Sequence, residues 1–320
     1  MGRSTAFAVL TTAVLLLTGC AAAPSPDTPP STSAAPPPPT GPLTLREALG
    51  DPATVDFCDL LDFSEIEKTS PPLSEPTLSM GACSFQTRIA GSAALFSFGF
   101  PDARAKERLA AATPVTEPSL PRGLRVVRSD LQGQPLLHLI FTDDSSLRIG
   151  TFFENREAAG PEVLAVAAKI LDGVARSLAT GKQARHLEYR DGSLARLDAC
   201  SALLSGTEVS ARLGVTVSGK GDLSGHQCLW GDQGAPRLVR MEFGLGPHPK
   251  AAGGVQEERL GGRRSFVQEV SGGCTVLTSH IGGPDPERNQ VEHAILAVQA
   301  PDACRVAREL AAIAWPKLPV

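Results

Sequence analysis

The sequence predicts an α+β protein: two tandem copies of an antiparallel sheet, each flanked by an N-terminal and a C-terminal helix and stapled by disulfides. Three observations carry that expectation. A cysteine-centred pattern occurs twice, the residues between its members alternate as strands do, and each occurrence closes on a segment with helical spacing.

The chain begins with Arg3 and then an apolar run over residues 6–17, which is too short to cross a bilayer comfortably and has the pattern of a cleavable export signal. The run ends in Leu17-Thr18-Gly19-Cys20. This resembles the lipobox, where diacylglycerol is attached to the cysteine thiol before cleavage in front of it. Residues 1–19 therefore read as a lipoprotein signal peptide. Cys20 reads as the lipidated, palmitate-bearing residue that holds the mature chain on the extracytoplasmic face of the cell membrane. Residues 21–42 are almost entirely Ala, Pro, Ser and Thr, with four consecutive prolines at 36–39. Such a segment has nothing to bury and favours extended polyproline II at about 3.1 Å per residue, so 20–43 reads as a disordered stalk.

The remaining length suits two domains, 44–180 and 195–320, joined by a linker at 181–194. Residues 44–180 carry 13 basic and 18 acidic side chains, net −5, and residues 181–320 carry 16 and 15, net +1. Neither half has the charge of a polyanion binder. With one tyrosine, two tryptophans and no basic run, the chain also lacks the stacking groove that single-stranded nucleic acid requires. No nucleic-acid partner is expected.

Seven cysteines less Cys20 leave six, which in an exported chain read as three disulfides with fifteen possible connectivities. The repeat narrows these. Cys58-Asp59-Leu60-Leu61 followed by Cys83-Ser84-Phe85 echoes Cys200-Ser201-Ala202-Leu203-Leu204 followed by Cys228-Leu229-Trp230. Phe98-Gly99 lies 15 residues beyond Cys83, and Phe243-Gly244 lies 15 beyond Cys228. If the first copy folds on its own, Cys58 pairs with Cys83; by repetition Cys200 pairs with Cys228, which leaves Cys274 for Cys304. In the matching register the first copy has Leu136 or Leu137, and Leu164, where the second has Cys274 and Cys304, so packing replaces that staple.

Within the second copy, Leu203, Leu204, Val209 and Leu213 space one helical face that Gly214 can end. Residues 237–245, 265–270, 274–280 and 290–298 are β-branched or alternating and separated by Gly and Pro, so they read as strands. Ala303, Val306, Ala307, Leu310 and Ala314 close the copy as a helix, mirrored in the first by Val163, Val166, Ala167, Ile170 and Val174. Succession of strands between helices implies an antiparallel sheet with both helices on one face.

Cys200 with Leu203, Leu204 and Gly214, then Cys228-x-Trp230, then Cys274 and Cys304, resemble an uncharacterised family of actinobacterial cell-envelope lipoproteins known only as a domain of unknown function. The resemblance covers residues 195–318 and, more faintly, 50–178, where Phe85 stands for the tryptophan. It implies an envelope location and a disulfide-stapled fold, and it transfers no catalytic residue.

The mature chain contains neither Gly-x-Ser-x-Gly nor Ser-x-x-Lys for acyl chemistry. Its six histidines (138, 186, 226, 248, 280 and 293) show no zinc spacing, and no metal ligand set is expected. His280 and His293 fall on strands that can be neighbours, with Asp285 in the loop between, which makes them a weak candidate site; strand histidines are more often structural. Gly219-x-Gly221 and Gly244-x-Gly246 do not complete a dinucleotide fingerprint and read as turns or bulges, so no cofactor is expected. Trp230 reads as core packing beside a disulfide, and Asp143-Asp144 as a hairpin turn. The expected function is that of a non-enzymatic envelope protein that binds a lipid, a small molecule or another envelope protein. The alternatives are an envelope hydrolase with an unfamiliar site and a structural spacer.

Overall fold

The computed structural model describes residues 40–320, apart from 104–108, 110–111, 116–119, 132–133, 154–155 and 233. The expected signal peptide, Cys20 and nearly all of the expected stalk lie outside the described residues. The described residues form one compact unit.

Two seven-stranded antiparallel sheets make up that unit. The first contains β1 (Thr77–Leu78), β2 (Ala82–Ile89), β3 (Ser92–Asp102), β4 (Thr113–Pro114), β5 (Arg125–Leu131), β6 (Gln134–Ile140) and β7 (Ser146–Phe153), in the spatial order 1-2-3-7-6-5-4. The second contains β8 (Gly219–Gly221), β9 (Gln227–Trp230), β10 (Leu238–Gly246), β11 (Val255–Leu260), β12 (Arg263–Val270), β13 (Gly273–Gly282) and β14 (Val291–Gln299), in the order 8-9-10-14-13-12-11. The orders are identical, so the sequence repeat is a repeat of topology.

Helices follow the same plan. After α1 (Leu45–Leu49), a short α2 (Phe63–Thr69) precedes the first sheet and a long α3 (Arg156–Ala179) follows it; α4 (Gly206–Leu213) and α5 (Ala303–Ala314) do the same for the second. α3 packs on β6 and β7, and α5 on β13 and β14. α4 starts later than the apolar spacing suggests, because Ser205 and Glu208 form a reciprocal capping box that fixes its first turn; Leu203 and Leu204 are buried just ahead of it. Gly214 ends it in the left-handed conformation.

The disulfides are Cys58–Cys83, Cys200–Cys228 and Cys274–Cys304. The first two tie the loop before each short helix to the second strand of its sheet. The third pins α5 to the start of β13. Gly219 explains how β8 lies over Cys200–Cys228: a Cβ there would sit 2.9 Å from Cys228 Sγ and 3.0 Å from Trp230 Nε1. Both glycine pairs thus belong to strands, Gly219 and Gly221 in β8 and Gly244 and Gly246 in β10, rather than to turns.

Strand pairing corrects the finer register of the repeat. Cys83, Phe98, Ile149 and Leu137 stand in one row across the first sheet, and Cys228, Met241, Leu296 and Val276 in the matching row of the second. Phe98 therefore corresponds to Met241 and not to Phe243, and Cys274, two residues before Val276, to Pro135 and not to Leu136 or Leu137. The cause is hairpin length. The first hairpin pairs up to a two-residue turn at Ala90 and Gly91, both with positive φ, whereas pairing in the second stops at Trp230 and Val239.

Side chains of both sheets join one contiguous buried cluster, with Phe57, Phe85, Phe96 and Phe98 on one side and Trp230, Met241 and Trp315 on the other. Residues 181–194 are bonded to both copies. Asp56 N–H donates to Arg185 O (2.8 Å), Leu187 N–H to Thr54 O (2.7 Å), and the buried Glu292 carboxylate accepts from Ser193 Oγ (2.6 Å) and Leu194 N–H (2.8 Å). Among the described residues no helix is long and apolar enough to cross a membrane.

Candidate functional site

His280, His293 and Asp285 do not converge. His280 Nε2 donates to Gly192 O (2.8 Å) while its Nδ1 faces the Arg263 guanidinium (3.4 Å). His293 lies opposite Ser279, and its Nε2 donates to Pro247 O at 3.1 Å. Burial holds the His293 imidazole below its usual pKa. Asp285 is occupied in capping a 3₁₀ turn, accepting from Glu287 N–H (3.0 Å) and pairing with Arg288 (3.2 Å). Neighbouring strands bring the two backbones together, but the β13 bulge after Ser279 and the alternation of side chains send the rings to different partners. Among the described residues no three His, Cys, Asp or Glu side chains group as metal ligands.

Two other histidines are structural. His226 is fully enclosed and joins the copies, its ring nitrogens each 3.1 Å from a carbonyl oxygen, Met80 O in the first and Ala195 O in the second. Burial depresses its pKa against the opposing pull of those carbonyls and Asp222. His138 on β6 bonds Ser129 Oγ at 2.8 Å; burial, then the nearby Arg148 cation, pushes its pKa down to about 4 despite Asp102.

An opening with an apolar floor lies elsewhere, between α2 and α3. It has a volume of about 620 Å³, within the range of small-molecule sites. Its floor is Leu60, Phe63, Ile66, Val166, Ile170 and Val174. Its rim is charged. Lys169 Nζ reaches from α3 to Thr69 Oγ1 on α2 (2.9 Å), and Lys182 Nζ donates to Asp59 O (2.6 Å) at the opposite strap. Four carboxylates share the rim, each with a partner. Asp62 caps α2, and the Ser64 hydroxyl, then the capped Glu65 N–H, lower its pKa; Glu65 pairs with Lys68, Asp172 with Arg176 (2.8 Å), and Asp59 lies 4.0 Å from Lys182. A second hollow of about 480 Å³ runs along the other flank of α3, beside Leu120, Leu124 and Val126.

The duplicated copy shows why the groove exists. There α4 packs directly on α5 through Val209 and Leu213, flanked by Arg212–Glu309 (3.1 Å) and Glu208–Lys317 (2.9 Å). In the first copy only Ile66 of α2 is buried. Matching Ala167, Ile170 and Val174 of α3 with Ala307, Leu310 and Ala314 of α5 superposes buried position on buried position. In that register Gly173 stands for Ile313, which packs on the core, and Lys169 for Glu309. A glycine inside a helix costs about 0.5–1 kcal/mol relative to alanine. A Cβ on Gly173 would meet nothing within 4 Å, so the space over this turn is open.

Sequence reasoning did not find this groove. The signal was present as a lone glycine within the α3 apolar pattern; Phe63–Thr69 and Gly206–Leu213 each carry two large apolar residues and give no warning of it.

Comparison with protein-family models and with curated proteins returns no match for this chain. Among solved structures, the chain was matched to the crystal structure of DynU16, a protein of the dynemicin biosynthetic locus. The two are 14% identical over 82% of this chain and 93% of that one, with a TM-score of 0.14. At that score the likeness carries no argument about fold or function.

Proposed function

We propose that this chain is a cell-envelope lipoprotein, anchored through Cys20 and held off the membrane by its proline-rich stalk. Its folded part binds an apolar ligand between α2 and α3 without catalysing a reaction on it. The observation that carries the binding reading is the open groove itself: an apolar floor and charged rim in the copy whose twin closes the same space with a packed helix. The lipobox and the resemblance to actinobacterial envelope lipoproteins support the location. They enter as sequence readings.

Two measurements test the proposal. Metabolic labelling with a palmitate analogue should mark the wild-type chain and leave Cys20→Ser unmarked; equal labelling of both would overturn the anchor. A neutral apolar dye, N-phenyl-1-naphthylamine, should gain fluorescence with the wild-type chain and lose most of that gain with Gly173→Phe, whose ring occupies the open space. An unchanged gain would place the dye, and the ligand site, elsewhere.

A further inference from the structure

We infer that the ligand of this groove is a single-chain amphiphile with an anionic head, a carboxylate or phosphate, whose hydrocarbon chain lies along the apolar floor while its head meets Lys169. The inference rests on the binding reading above and adds the chemistry of the occupant. The shape argument is that the floor is a strip between two helices, continuous from Leu60 and Phe63 to Ile170 and Val174. A flexible chain fits such a strip, gaining roughly 0.8 kcal/mol for each buried methylene.

Charge selects the head. The rim carboxylates are each engaged, Asp62 in the α2 cap and the other three with cations. Of the two rim lysines, Lys182 is taken by the Asp59 carbonyl and carboxylate. Among the described residues Lys169 has only the Thr69 hydroxyl as a partner, and no carboxylate. Lys169 lines both hollows that flank α3, and its ammonium is turned towards α2, on the side of the groove. The twin copy supplies the contrast. Its equivalent residue, Glu309, is paired with Arg212 of the short helix and with Arg305 of its own, and there the two helices pack together. In the first copy the charge is reversed, its α2 partner is a neutral hydroxyl instead of an opposite charge, and the space beside it is held open by Gly173.

The test uses the full chain carrying Cys20→Ser, so that no acyl group of its own competes. Bound cis-parinaric acid, followed by its fluorescence, is displaced by palmitate, hexadecyl phosphate, hexadecanol or hexadecyltrimethylammonium, which share one chain length and differ in the head. An exposed charge-assisted contact predicts that palmitate and hexadecyl phosphate displace the probe about five- to ten-fold more tightly than hexadecanol, with the ammonium weakest. Lys169→Gln should remove that advantage and leave hexadecanol unchanged. Gly173→Phe should block every competitor, with Gly173→Leu as a second filling variant and circular dichroism as the check of folding. Displacement by hexadecanol or the ammonium equal to that by palmitate, or a preference unaltered in Lys169→Gln, overturns the anionic head while sparing the groove. Parinaric acid that fails to bind the parent chain, or binds both filled variants as well, overturns the groove. Whichever of palmitate and hexadecyl phosphate binds more tightly identifies the source as free fatty acid or phosphorylated lipid.

Discussion

Replacing His138 by glutamine should remove one distinct part of the stability that the wild type loses as the pH falls below 6.5, the buried His226 and His293 supplying the rest in both proteins. His138 is 8% exposed, and burial together with Arg148 brings its pKa to about 4 from the model-peptide 6.5. Above pH 6.5 the imidazole is neutral whether the chain is folded or not, so nothing is linked to pH there. As the pH falls below 6.5 the unfolded chain takes up a proton that the folded chain refuses, and the folded state loses about 1.4 kcal/mol per pH unit until the folded pKa is reached. The full window amounts to about 3 kcal/mol. Urea unfolding of both proteins at pH 7.5 and 4.5 measures it. Both tryptophans, Trp230 and Trp315, lie in the second copy, so far-ultraviolet circular dichroism is the better signal. The glutamine variant should be the less stable at pH 7.5, because its packing is imperfect, and the gap should narrow by about 2–3 kcal/mol at pH 4.5. A gap of the same size at both pH values would mean that His138 protonates in the folded state as it does in the unfolded one, and would refute the argument from burial.

Removing the Cys274–Cys304 bridge with paired alanines frees a loop of 30 residues and should cost about 3 kcal/mol in urea unfolding. Dye binding in the first copy should not change; a loss there would show that the pin between α5 and β13 also supports the groove. Gly219→Ala should destabilise by about 1–3 kcal/mol in urea unfolding, because the added Cβ falls within 3 Å of Cys228 Sγ. A neutral Gly219→Ala would show that β8 can lift off the disulfide without loss.

The architecture was legible in the sequence wherever a periodic pattern met a chemical constraint. Six cysteines in a repeated pattern give three pairs once one copy holds only two of them, and Ala303 to Ala314 announces its buried face through strict helical spacing. Fine register was less legible, since the lengths of two hairpins differ and equal sequence distances then fall on different rows. β11, with Glu257, Glu258 and Arg259, hides behind charges that suit an unpaired sheet edge. The histidine site failed for a physical reason: strand adjacency fixes backbones at one spacing, while side-chain direction is set by alternation and by the bulge after Ser279. The groove stayed hidden because it arises from a packing that one copy makes and the other does not. Only the comparison of α2 with α4, and of Gly173 with Ile313, makes it visible.

The account stands or falls on what occupies the space between α2 and α3 in the native protein. Native mass spectrometry of the protein purified from its host, with the proposed Cys20 lipid counted in the expected mass, measures this directly. The mass should exceed chain plus Cys20 anchor by that of one small amphiphile, and Gly173→Phe should remove the excess. A mass fully accounted for by chain and anchor, the same in both proteins, would contradict the account.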